Sequence, residues 1–227
     1  METKKRSISK IIEEQVKKWD YHKQERNEDK VKPVISVTIS REPGSGGRIV
    51  AEKIAQRLGF DIFHQEVVHE MAEDANISVR FIETLDERGL NTLDNWIASM
   101  VDERYLWPDR YMKHLMKVVG TMGRHGNCVI VGRGSNFIIP PEKRISARIT
   151  APFDMRCRFI ADAFNVSVEN AARRITQTES TRRSFIRKYF NTSIADPANY
   201  DMVLNTKNIG IDGAAAAISA AVKQKIG

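Results

Sequence analysis

The most regular pattern in the chain is the run Val-Ile-Ser-Val-Thr-Ile-Ser at 34–40, where β-branched residues alternate with small polar ones and predict a strand. Residues 41–48, Arg-Glu-Pro-Gly-Ser-Gly-Gly-Arg, predict a tight loop. A helical period follows, in which Val50, Ile54 and Leu58 make one stripe, Ala51 and Ala55 are small beside it, and Gly59 is the stop. Short apolar runs recur at 60–63, 127–131, 144–150 and 200–206. Between and after them lie helix-period segments at 65–75, 78–124, 152–164 and 168–187, and an alanine-rich segment from about 212 onward. Short apolar strands alternating with helices predict an α/β fold, a five-stranded parallel sheet covered on both faces.

Ahead of this pattern, Ile8, Ile11, Ile12, Val16 and Trp19 lie at helical spacing among lysines and glutamates. They predict a short amphipathic helix, capped by Ser7 or Ser9, with the polar stretch 20–32 as a linker. The chain thus divides into 1–32, helix and linker, and a main domain over 33–227. The apolar stripe of the leading helix needs cover from its own domain or from a second subunit, and the latter is compatible with a homodimer.

Composition narrows the classes. Lys and Arg total 36 against 29 Asp and Glu, a formal charge of +7 that suits anionic partners, nucleotides and nucleic acids among them. Cys128 and Cys157 sit in apolar or helical patterns without metal-ligand spacing, and so read as buried thiols, not a disulfide framework. His64, His69, His114 and His125 are scattered, and no metal-binding set is identified. No apolar run is long enough to cross a bilayer, and the expectation is a cytoplasmic protein.

The chemistry concentrates at the glycine turn. Glycines let successive backbone N–H groups converge, and the helix behind them adds its positive end, so a phosphate fits there. The usual phosphate loop reads G-x-x-x-x-G-K-[ST]. If Gly47-Arg48 stands for the Gly-Lys pair, Glu42 takes the first glycine position and Ile49 the hydroxyl position; if Gly46 is used, Gly47 stands where lysine belongs. Arg41 or Arg48 then supplies the missing cation, since guanidinium holds phosphate oxygens in a bidentate fork. In open parallel sheets ligands gather beyond the carboxyl ends of strands, where Gly132-Arg133-Gly134 also falls, so Arg133 is placed to hold a second anion facing the first. The basic helical stretch 168–187 reads as a flap whose arginines close over a transferring phosphoryl group and exclude water.

Taken together, 34–48, Cys-Val-Ile-Val-Gly-Arg-Gly at 128–134, Tyr-Asp-Met-Val-Leu-Asn-Thr at 200–206 and the basic stretch at 180–189 resemble the cytidylate kinase-like family of P-loop proteins. The resemblance implies a three-layer nucleoside monophosphate kinase fold, with a helical insertion that binds the monophosphate and a helical lid at about 167–190. It also implies ATP and Mg²⁺, with the γ-phosphate passing to CMP or dCMP. Carried across, Gly44, Ser45, Gly46, Gly47 and Arg48 would cradle the donor phosphates, and Arg41 and Arg133 would hold the acceptor. Arg48, Arg173, Arg182 and Arg183 would stabilise the transferring group, and Glu42 or Ser45 would stand near the magnesium ion. The chain departs from cytidylate kinases proper in lacking the loop lysine, and His64 falls where an acidic residue is expected. The alternative is a kinase-like protein that binds nucleotide without turning it over; nucleic-acid binding by the basic lid is the least favoured reading.

Overall fold

A computed structural model describes residues 8–25, 34–104 and 106–227. Five parallel strands form one sheet in the order β2-β3-β1-β4-β5: β1 (Ser36–Arg41), β2 (Asp61–Phe63), β3 (Cys128–Val131), β4 (Arg144–Thr150) and β5 (Met202–Asn205). The central strand β1 sets Ile39 beside Val131 of β3 and Ala147 of β4. The carboxyl ends of β1 and β3 are therefore neighbours, so the glycine turn and Gly132–Gly134 leave the sheet side by side.

Alternate side chains of a strand face opposite sides of the sheet, and the two helical layers use this. On one face Val37, Ile39, Val129 and Ile149 pack with Val50 and Ile54 of α2 (Gly47–Leu58) and with Ala214 and Ile218 of α10 (Thr206–Ile226). On the other, Phe63, Cys128 and Ile130 join the helical insertion. The insertion comprises α3 (Gln65–Glu73), α4 (Ala75–Ile82), α5 (Glu87–Glu103) and α6 (Arg110–His125). The core is continued by Phe137 of the four-residue α7 (Ser135–Ile138), and α8 (Phe153–Phe164) leads into the 23-residue α9 (Val168–Phe190), the lid. Ser167 caps α9 by accepting the Asn170 N–H. The expected three-layer architecture with five parallel strands is the one observed.

The leading helix differs from expectation in length. α1 runs Ile8–Glu25, so the first six residues assigned to the linker are helical; 26–33 lie outside the described residues, as does Ser7, and Ser9 is inside the helix. Its stripe is covered by its own domain: Ile12, Val16 and Trp19 are buried, and Trp19 stacks on His125 at 4.0 Å between ring centroids. His125 also shares a 2.8 Å hydrogen bond with Thr84 Oγ1, which makes it a satisfied core histidine. Lys18 pairs with Asp61 at 2.7 Å, fixing the helix to β2.

The last helix begins at Thr206, six residues earlier than expected, with a break at Gly210 (φ 67°, ψ 176°). Both cysteines are buried and free, and burial pushes the Cys128 thiol up to about 12. Among the described residues no helix is long and apolar enough to cross a membrane.

Candidate active site

Between β1 and α2 the backbone passes through two left-handed glycines, Gly44 (φ 80°) and Gly46 (φ 76°), a region that L side chains avoid. Most of the turn's carbonyls are engaged. Glu42 O accepts from Ser45 N and Ser45 Oγ, Ser45 O accepts from Thr206 Oγ1 at 2.9 Å, and Gly46 O accepts from Val50 N. The N–H groups of Gly44, Gly46, Gly47 and Arg48 donate to nothing among the described residues. Unpaired donors at the start of a helix, with the dipole behind them, make an anion site.

Close packing leaves no room for larger residues: a Cβ on Gly44 would lie 2.6 Å from Arg156 O. Gly44→Ala therefore combines backbone strain with a clash. We expect a loss of about 1–3 kcal/mol of stability, read by denaturant unfolding, together with loss of stabilisation by added triphosphate. Unchanged stability would show that the turn relaxes freely.

Two cavities open at this end of the sheet. One, of about 530 Å³, lies over the glycine turn and is walled by Phe159 and Phe164 of α8 and Arg174 and Ile175 of α9. The other, of about 350 Å³, lies beyond β1 and β3 and is lined by Ser40, Gly132–Gly134, Asn136, Phe185 and Tyr200. Arg41, Gln65, Gln177, Thr178 and Arg182 line both, so the cavities meet at these residues.

Arg41 stands at the meeting point. Its Nη2 donates to Gln65 Oε1 at 2.6 Å, its carbonyl accepts from Arg182 Nη1 at 2.8 Å, and a Cβ on Gly132 would overlap its guanidinium. Burial, and then the nearby Arg182, push the Arg41 pKa down to about 9, with Arg133 and Arg48 adding to the effect and Glu66 opposing it. Burial likewise lowers Arg182. Arg133 adopts a positive φ of 56° and lies 5.8 Å from the Phe185 ring centroid; its buried Nε meets no acceptor among the described residues. Three arginines converging with donors to spare form a site that an anion would complete.

Other expected residues sit differently. Arg48 lines the first cavity from its rim, 61% exposed, with Nε 3.4 Å from Glu52. Arg173 pairs with Glu169 at 2.7 Å on the outer side of α9, and exposed Arg183 lines neither cavity. Glu42 lines the first cavity, but its carboxylate is engaged: it accepts from Ala151 N and lies 3.6 Å from Arg148 and 3.5 Å from Arg156. Ser45 Oγ is committed to the turn. His64 packs against Glu52 at 3.4 Å, and burial, then Arg48, lower its pKa. Among the described residues no cluster of three His, Cys, Asp or Glu could hold a metal ion. Glu66 is the other acidic residue that lines the first cavity.

Buried Arg148 and Arg156, together with Gln65, Gln177, Thr178 and Tyr200, escape a reading of the sequence. An arginine in a strand or helix has the same appearance whether it faces water or a carboxylate, and the glutamine and threonine positions carry no spacing signal.

A glycine turn with unpaired amides, a second arginine-lined cavity abutting the first and a basic helix over both define a P-loop protein of kinase type. Comparison with known proteins agrees: the model of the cytidylate kinase-like family matches residues 36–208, and the chain belongs to that family. It is similar to a cytidylate kinase of Ignicoccus hospitalis, 28% identical over 77% of this chain and 91% of that one. It is similar also to a cytidylate kinase of Natronomonas pharaonis, 26% identical over 82% and 88%. Among solved structures, an uncharacterized protein from Eubacterium ventriosum shares the fold with a TM-score of 0.62 at 20% identity, covering 83% of this chain and 98% of that one.

Proposed function

We propose that this protein transfers the γ-phosphoryl group of ATP to a nucleoside monophosphate, with CMP or dCMP as acceptor. The observation that carries the reading is the pair of cavities sharing Arg41, Gln65, Gln177, Thr178 and Arg182. Donor phosphates lie on the unpaired amides of Gly44, Gly46, Gly47 and Arg48, and the acceptor phosphate is held by Arg133 and Arg41. Arg182, common to both cavities, faces the group in transit, where cationic donors lower the barrier most. An acceptor phosphate is already an anion, so the transfer needs no side-chain base. The lid excludes water from the junction.

Magnesium fits as an ion carried by the triphosphate, with Glu66 facing it, because magnesium keeps phosphate and water oxygens and needs few protein ligands. When bound, it would offset negative charge on the triphosphate. For the acceptor base, Asn136 Nδ2 donates to Asn199 O at 3.3 Å, which leaves its Oδ1 to accept from an amino group such as cytosine N4. The names of the two relatives favour the same acceptor.

The test is ADP release with CMP, dCMP, UMP and AMP in the presence of Mg²⁺, and cytidine monophosphates should give the highest kcat/KM. Folded protein that binds ATP yet shows no acceptor-dependent release would transfer the assignment to the second reading, a nucleotide sensor. The lack of a loop lysine and the engagement of Arg48 by Glu52 favour that alternative.

A further inference from the structure

Glu42 occupies the position where the usual phosphate loop has its first glycine, and its geometry shows what a long acidic side chain does there. Its carboxylate runs back under the turn to Ala151 N (3.2 Å) and to the guanidinium of Arg156 (3.5 Å). Arg156, only 6% exposed, hydrogen-bonds three different segments, and the Nε that faces Glu42 donates to one of them. Nε bonds Ala151 O at 3.0 Å, and Nη1 bonds both Pro43 O in the turn at 3.3 Å and Glu179 Oε1 in the lid at 2.6 Å. The Arg156 backbone also touches the turn, since its carbonyl is the atom a Gly44 side chain would strike. Arg148 completes the group, with Nη1 on Ser40 Oγ at 3.0 Å and Nη2 facing Glu42 at 3.6 Å. Two arginines thus balance two glutamates in a buried network that includes the turn, the end of β4 and the lid.

We propose that Arg156 is a positioning residue that couples the glycine turn to the lid, with Glu42 and Glu179 as the two ends of the coupling. Among the described residues Glu42 and Glu179 both face this guanidinium, so whatever loosens one end withdraws charge balance from the other; Arg182, bonded to Arg41 O, is a second tie between lid and turn. The turn is held in its amide-presenting shape by the same group that fixes the lid above it. The coupling stands on the geometry alone; its effect on ATP rests on the donor site proposed above.

The experiment compares Glu42→Gln, Glu179→Gln and the double variant, which keep size and remove charge, and leaves Arg156 itself in place to protect the fold. Amide hydrogen exchange is followed on the nucleotide-free protein. Glu179→Gln in the lid should speed exchange in the turn peptide 42–50, and Glu42→Gln should speed it in lid peptide 175–186, each by about threefold or more, with the double variant no worse than the stronger single one. If each change loosens only its own segment, or the two effects multiply independently, the proposal is overturned.

The kinetic arm uses Mg-ATP: Glu179→Gln should raise the ATP KM about fivefold while the CMP KM stays within about twofold. Equal changes in both would indicate general loosening and overturn it as well. A wild-type protein without ATP turnover would defeat the proposed function, whereas the exchange measurement would still decide the coupling.

Discussion

Replacing Arg41 with Gln is expected to lower acceptor-dependent kcat/KM by about 10²–10³-fold, the scale seen when a preorganised donor to a developing charge is lost. The same change should leave the nucleotide-free protein at least as resistant to heat as the wild type. The two effects have one origin. Burial, and then the nearby Arg182, depress the Arg41 pKa, with Glu66 offsetting only part of this, and its hydrogen-bond partner Gln65 is neutral. Glutamine keeps most of the stem that packs against Gly47 and removes the charge. Activity bought with local instability is a known trade. Turnover and melting temperature measured on one preparation settle the matter: near-wild-type turnover, or a sharply lower melting temperature in the absence of anions, would show that Arg41 is a structural residue.

Trp19→Ala should cost about 3–5 kcal/mol, as for other large aromatic truncations in a packed core. The indole lies 4.7 Å from the Phe81 ring centroid and 4.0 Å from that of His125, and is 4% exposed. Removing it leaves a void lined by Phe63, Phe81 and His125, and takes from α1 its largest buried side chain, with Ile12, Val16 and the Gln15 and Lys18 contacts to Asp61 remaining. Denaturant midpoints at constant m-value would measure the loss. A change under about 1 kcal/mol would mean that α1 packs too loosely to belong to the core. The family model begins only at residue 36, so this helix is an addition that the core nonetheless incorporates.

The sheet was readable because buried parallel strands must be apolar, and Val-Ile-Ser-Val-Thr-Ile and Cys-Val-Ile-Val can serve few other purposes. The break at Gly210 was not, because the four helical residues before it, Thr-Lys-Asn-Ile at 206–209, are too few to show a period. Helical phase separates the lid arginines after the fact. Ala171, Ile175, Ile186 and Phe190 mark the buried side of α9, and Arg182, seven residues after Ile175, falls on it. Arg173, two residues before Ile175, points about 200° away. Grouping arginines by proximity in sequence merged the inward-facing with the outward-facing. The buried pair Arg148 and Arg156 leaves no sequence signal for a further reason: their partner, Glu42, stands in the phosphate loop, where it reads as a departure from the glycine motif or a neighbour of magnesium and not as the partner of arginines much later in the chain.

The terminal helix lies directly beneath the phosphate turn. Thr206 Oγ1 bonds Ser45 O, and Ile211 sits where a side chain on Gly46 would be. The floor of the donor site is therefore contributed by residues that follow the last strand of the sheet. A nascent chain emerging in order completes its sheet and lid before this support arrives, so competence to hold a triphosphate should be acquired late, after Thr206 and Ile211 have docked.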